Sequence, residues 1–292
     1  MGFWNALFGG KELSPEEEKK EQEAKNFDLL RYDGVKAMKM GQTDYAVRCF
    51  QEALKLHDDL ETHDYLSQSL LRQGDFDGAL AELQLLAAAE PDNAPIQKRM
   101  AQIAYMQEDY TTMAAACERA IQLDVADAHA CFLNAQAQQG QGNLVGAIAM
   151  LTKAVALDGD YADAYLLRGR MLLGMGDTQG ADQDVAWLTE HVGDHEEVLL
   201  LKARVEAAKG NVERAVEVYG QVVEVNPFSI EAFRERGQLR FNSGDKAGAG
   251  EDMQKVLELD PNSLADVSGE YSAEGIEQRV KQAYSAVNPL GL

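Results

Sequence analysis

The chain is 292 residues long, 46% hydrophobic and 26% charged, and 27 basic against 49 acidic side chains leave a formal net charge of −22. A charge of that sign repels phosphate backbones, and no basic stripe offsets it, so nucleic acid is excluded as an expected partner. The three cysteines, Cys49, Cys117 and Cys131, show no C-x-x-C spacing and suit a reducing compartment; no stretch reaches the ~20 apolar residues of a membrane span, so a cytoplasmic protein is expected.

Residues 1–26 form an apolar N-terminal segment and a leading helix. Phe3 with Leu7, and Trp4 with Phe8, are i,i+4 pairs that place one apolar stripe on a short helix. So short a helix does not stand alone in water. A loose end or a lid over the first repeat is expected, with membrane contact through residues 1–8 or a plug for a groove as the alternatives. Ser14-Pro15-Glu16-Glu17 then reads as a helix start: Ser14 caps, Pro15 suits the first helical position, and Glu17 completes a capping box. That helix runs on through Lys25 into the first repeat.

From Phe27 to about residue 262 one phrase recurs. Its clearest copy is Gly210-Asn211-Val212-Glu213-Arg214-Ala215, closed by Asn226-Pro227, and the alanines of four copies fall at 147, 181, 215 and 249, a constant step of 34 residues. A fixed period of this size means stacked supersecondary units around a shared core. Each unit begins with a helix carrying a small residue seven positions before a turn: Gly34, Ser67, Ala101, Ala135, Gly169, Ala203 and Gly237. The turn glycines Gly41, Gly74, Gly142, Gly176, Gly210 and Gly244 suit a left-handed C-cap. A second helix follows with Ala46, Ala79, Met113, Ala147, Ala181, Ala215 or Ala249, then Phe50, Leu83, Cys117, Leu151, Val185, Tyr219 or Met253 four residues on. That spacing buries one helical face. Repeat three departs most, with Glu108 for the turn glycine and Met113 for alanine.

The small residue, the Gly-Asp turn, the alanine, the larger apolar group and the closing Asp-Pro together resemble the tetratricopeptide repeat (TPR) family. Seven registered copies cover about four-fifths of the chain. The resemblance implies an all-α, right-handed superhelix whose first helices line a concave face that holds a protein or peptide ligand. After Pro261 the phrase stops. Residues 263–292 read as a loop and a capping helix striped by Ile276, Val280, Ala283 and Val287. Some TPR domains clamp a C-terminal carboxylate with Lys, Asn and Arg; here Arg31 and Arg99 match, while Val35, Tyr65 and Pro95 do not.

No catalytic constellation emerges, and neither a cofactor nor a metal is expected. His191 and His195 flank the turn at Gly193-Asp194, and His57, Asp58, Asp59, Glu61 and His63 cluster at another turn; both groups read as solvated junctions. Cys117 and Cys131 occupy core positions. The informative surface is the one the repeats do not need for packing. Its candidate groove residues are Lys98, Arg99, Tyr105, Phe132, Leu133, Gln136, Leu166, Leu167, Arg170, Leu200, Leu201 and Arg204. The apolar pairs of repeats four to six, flanked by Arg170 and Arg204, suit an amphipathic helix or a peptide with carboxylates. The expected function is a non-enzymatic scaffold for a partner protein. The alternative is a self-assembly module in which the N-terminal segment docks into a neighbouring chain, forming an oligomer.

Overall fold

The computed structural model describes residues 14–261. All regular elements among them are α-helices. They fall into two compact units, the first closing at Leu157 and the second opening at Asp158. The first holds α1 (Pro15–Lys39), α2 (Thr43–Leu56), α3 (Leu60–Gln73), α4 (Phe76–Ala89), α5 (Ala94–Met106), α6 (Tyr110–Leu123), α7 (Ala128–Gly140) and α8 (Leu144–Leu157). The second holds α9 (Ala162–Gly174), α10 (Thr178–His191), α11 (Glu196–Ala208), α12 (Val212–Val225), α13 (Ile230–Asn242) and α14 (Lys246–Leu259). Each odd-numbered helix and its successor make one helix-turn-helix repeat, four repeats in the first unit and three in the second. The apolar residues 1–10 and the capping helix expected after residue 262 lie outside the described residues.

The helices start and stop where the sequence supplies the chemistry. Ser14 caps α1 through its hydroxyl, which accepts from the Glu17 amide, while the Glu17 carboxylate accepts from the Ser14 amide at 2.8 Å. The capping box is therefore complete. Asp75, Asp109, Asp177 and Asp245 each accept from the amide three residues on and cap α4, α6, α10 and α14. All six turn glycines have positive φ. In repeat three Glu108 takes their place with φ 57°, so the turn survives with an L-residue in a conformation that disfavours one.

Small residues at the helix crossings are buried in every repeat, and the reason is contact. A Cβ on Gly34 would sit 2.6 Å from Cε1 of Phe50, whose ring is wholly buried in the second helix of the same repeat. Repeat three makes its departure tolerable by exchanging volumes. Met113 replaces alanine, but the larger group four residues on shrinks to Cys117, and both side chains are fully buried.

Candidate functional site

Packing against α2, α4, α6 and α8 leaves each first helix of the first unit one outward stripe. On α5 the exposed residues are Pro95 in the first turn and Gln102, Tyr105 and Met106 farther along; on α7 the least buried include Phe132, Gln136 and Gln139. The charged groups of these stripes are engaged with one another. Arg31 of α1 donates to Glu61 of α3 at 3.1 Å, and the Tyr65 hydroxyl donates to the same residue at 2.7 Å. Arg99 of α5 pairs with Asp64 of α3 and donates to the Ser67 hydroxyl at 2.7 Å. Lys98 reaches Asp127, the N-cap of α7, at 2.5 Å. Gln102 and Gln136 differ: neither amide is hydrogen-bonded to a described residue. Tyr105, one turn from Gln102, is 47% exposed.

In the second unit the arginines expected to face a ligand are also partly committed. Arg204 of α11 forms a fork onto Glu235 of α13, at 2.8 and 2.9 Å, and also pairs with Glu231. The Tyr219 hydroxyl donates at 2.5 Å to Glu235 Oε2, the oxygen that also accepts from Arg204 Nε. The hydrogen bonds that Arg204 donates to Glu235, followed by the charges of Glu235 and Glu231, hold its guanidinium protonated even more firmly than usual. Burial, reinforced by Glu235, pushes the Tyr219 phenol up. Arg170 is looser, with its nearest carboxylate, Glu197, at 4.0 Å.

The apolar strip expected beside these arginines is corrected by the structure. Leu133, Leu166, Leu200 and Leu201 are core residues. Leu133 packs with Ala104, Met113 and Cys117 in the first unit. Leu166 and Leu201 share a cluster with Val185 and Leu188, and Leu200 lies in another with Val218 and Tyr219. Gly169 explains Leu201: without a Cβ on α9, the Leu201 methyl fills a space that a Cβ would approach to 2.8 Å. These leucines support the stripe from beneath, and of the expected apolar members only Phe132 and Leu167 keep part of their surface.

Sequence reasoning missed a set of ion pairs inside the repeats. Arg168 of α9 donates bidentately to Asp184 of α10 at 2.6 and 3.0 Å, and the carboxylate is only 2% exposed. Arg236 does the same to Asp252 on α13 and α14 at 2.6 and 3.0 Å, joined by Arg240 at 3.0 Å. Burial pushes the Asp184 carboxyl up in spite of its arginine. A detectable signal existed, since Arg168 and Arg236, like Asp184 and Asp252, stand two repeat periods apart. His63 belongs to the same set. Its ring joins Glu82 of α4 on one nitrogen and Asp58 on the other, the latter at 2.8 Å. Burial alone would lower its pKa, but the hydrogen bonds and charges of Glu82 and Asp58 prevail and raise it.

The remaining candidates have structural partners. Asp59 caps α3, and His57 packs edge-on against Phe27. His191 stacks on Trp187, itself stacked on Tyr165 at 4.0 Å. His195 is the N-cap residue of α11. Burial pushes the Cys117 thiol to about 12, so its thiolate is scarce at neutral pH. Among the described residues no group of three His, Cys, Asp or Glu is placed to hold a metal, and no helix is long and apolar enough to cross a membrane.

Comparison with solved structures places this architecture among known folds. A tetratricopeptide repeat protein from Parabacteroides merdae ATCC 43184 matches at 14% identity and TM-score 0.65, covering 88% of this chain and 98% of its own. MamA from Desulfovibrio magneticus RS-1, residue 41 to the end, matches at 16% identity and TM-score 0.55, with 58% of this chain and 96% of its own covered. YrrB, described as a TPR protein with an unusual peptide-binding site, matches at 16% identity and TM-score 0.53, over 68% of this chain and 97% of its own. At these identities the likeness is one of fold. No curated protein matches the sequence. The sequence model of the tetratricopeptide repeat family matches residues 65–128, 132–183 and 200–263, more than half of the chain. With seven helix-turn-helix repeats in register, the chain belongs to the tetratricopeptide repeat family.

Proposed function

We infer that the protein is a non-enzymatic scaffold, and that its first unit holds an extended segment of a partner protein along the outward stripes of α5 and α7. The fold supports the coarser part, because tandem helical repeats present extended surfaces to protein partners. One observation carries the finer part. The cations of these stripes already face carboxylates of the same chain, whereas the amides of Gln102 and Gln136 have no partner among the described residues. An amide offers a donor and an acceptor together, the pair that one peptide unit of a main chain requires. Tyr105, exposed beside Gln102, adds a flat amphipathic surface. The solved structure of YrrB, with its named peptide-binding site, is a precedent on the same fold.

The test begins with peptides selected from a random displayed library on the intact protein. Replacing both Gln102 and Gln136 with Ala removes up to two hydrogen-bonding groups worth ~0.5–1.5 kcal/mol each, so affinity is expected to fall roughly tenfold. Binding should change little with salt, since the stripe's charges are internally neutralised. An affinity that ignores both glutamines, or one that collapses with salt and with Arg170→Ala, sinks this assignment. The second result would return the site to the arginines of the second unit.

A further inference from the structure

We propose that the outer face of α1 is a docking surface for the chain's own N-terminal segment, Phe3 to Phe8. The inference concerns a different helix from the α5 and α7 stripe and does not depend on it. The buried side of α1 carries Phe27, Gly34 and Ala37. On the opposite side, one turn apart, Leu29 and Tyr32 are 60% and 66% exposed, and Met40 at the helix end is 61% exposed. Lys25 stands one turn before Leu29 and Lys36 lies between Tyr32 and Met40, and their alkyl stems extend the apolar surface. In a stacked array an internal helix has its outer side covered by the preceding repeat. Here the sequence just before α1 contains no repeat phrase, but it does contain Phe3, Trp4, Leu7 and Phe8, four large apolar side chains within six residues.

The lengths agree. From Ser14 at the start of α1, Leu29 lies about 22 Å and Tyr32 about 27 Å along the helix, at 1.5 Å per residue. A chain folding back from Ser14 spans up to ~3.4 Å per residue, which lets Phe8 reach about 20 Å and Phe3 about 37 Å. The segment therefore covers both exposed residues, with Met40, about 39 Å away, at its limit. Gly9-Gly10 supplies the backbone freedom to reverse direction. Tethering favours this occupant over a second copy, because a short linker holds the segment at an effective concentration of order millimolar.

Trp4 reports the contact directly. The only other tryptophan is Trp187, in the second unit, so the full-length Trp187→Phe protein carries one indole near the surface in question. Its emission is expected to be blue-shifted from that of a solvated indole, at every protein concentration. Adding Leu29→Asp and Tyr32→Asp should abolish the shift while leaving the helical circular dichroism intact, since both side chains are exposed. A second readout covers any loss of folding. Removing residues 1–8 should increase binding of an apolar dye in the wild-type background, and the increase should vanish when Leu29 and Tyr32 are aspartate. Solvent-like Trp4 emission, or dye binding indifferent to the truncation, overturns the proposal. So does a blue shift that appears only with dimer formation at high concentration, or only on adding anionic phospholipid vesicles, which would give the segment to a second copy or to a membrane.

Discussion

Repeat two and repeats five and seven place a carboxylate at the same point of their second helix, and each gives it a cation from the first helix. In the second unit the carboxylates are Asp184 and Asp252, almost wholly buried, and the cations are Arg168 and Arg236. In the first unit the carboxylate is Glu82, 18% exposed, and the cation is a histidine, His63, one turn earlier than the arginines. The geometry of the repeat is thus compatible with two kinds of clasp. Arginine stays charged at all accessible pH and forks onto both carboxylate oxygens. Histidine changes its charge near neutrality. One fold therefore carries a permanent fastening in one unit and a titratable one in the other.

The largest expected effect lies in the permanent pairs. Removing one partner of a buried ion pair strands the other charge, at about 3–5 kcal/mol. Asp184→Ala should therefore destabilise the second unit by that order, read as a lowered urea midpoint and faster amide exchange in α9 and α10. The combined change Arg168→Met and Asp184→Leu should recover most of the loss, because two apolar groups of similar size need no compensation. Repeat six suggests the outcome: the positions equivalent to Arg168 and Asp184 are Lys202 and Val218, and Val218 is fully buried. A single substitution that costs little would mean that water already reaches the pair.

The histidine clasp predicts a smaller effect with a defined direction in pH. Because folding raises the pKa of His63, the folded chain binds the imidazolium more tightly than the unfolded chain does. That stabilisation is complete below the unfolded imidazole value of about 6.5 and is lost as pH rises through the folded value. Between mildly acidic and mildly alkaline buffer, amide exchange in α3 and α4 should accelerate relative to α13 and α14, whose clasp is Arg236 with Asp252. His63→Gln should remove the difference. An equal response in both pairs of helices would separate His63 from the effect. Neither clasp was read from the sequence, although the fold was. Periodic small residues and turn glycines determine the helices through local contacts, such as Gly34 against Phe50 and Gly237 against Met253, and a small residue recurs at that position in each repeat. The clasps occur in only some repeats, Arg168 and Arg236 at one position and His63 one turn earlier, and they hide within polar positions that vary among the other repeats. Leu200 and Leu201 were misplaced for a related reason. A first helix in a stack meets its own second helix and also the neighbouring first helix, so its buried arc is wider than an isolated helical pair suggests.

Repeat three allows the smallest and most local of these contrasts. The other six turns of the array all carry glycine, and of these Gly74 and Gly142 flank it directly and share its role with φ of 85° and 77°. An L-residue in the left-handed region costs about 1–2 kcal/mol, while glycine adds ~0.5–1 kcal/mol of unfolded-chain entropy. The difference is the expected result of Glu108→Gly: a gain of up to about 1.5 kcal/mol, seen as a modest rise in the urea midpoint of the first unit. The cap next to it should be unaffected, since the Asp109 carboxylate accepts from the Thr112 amide at 3.0 Å and from its hydroxyl at 2.5 Å. A loss of stability on Glu108→Gly would mean that the glutamate side chain contributes more than its backbone conformation costs. The turn would then be held by a contact peculiar to this repeat, and its departure from the glycine pattern would be a local adaptation rather than a tolerated strain.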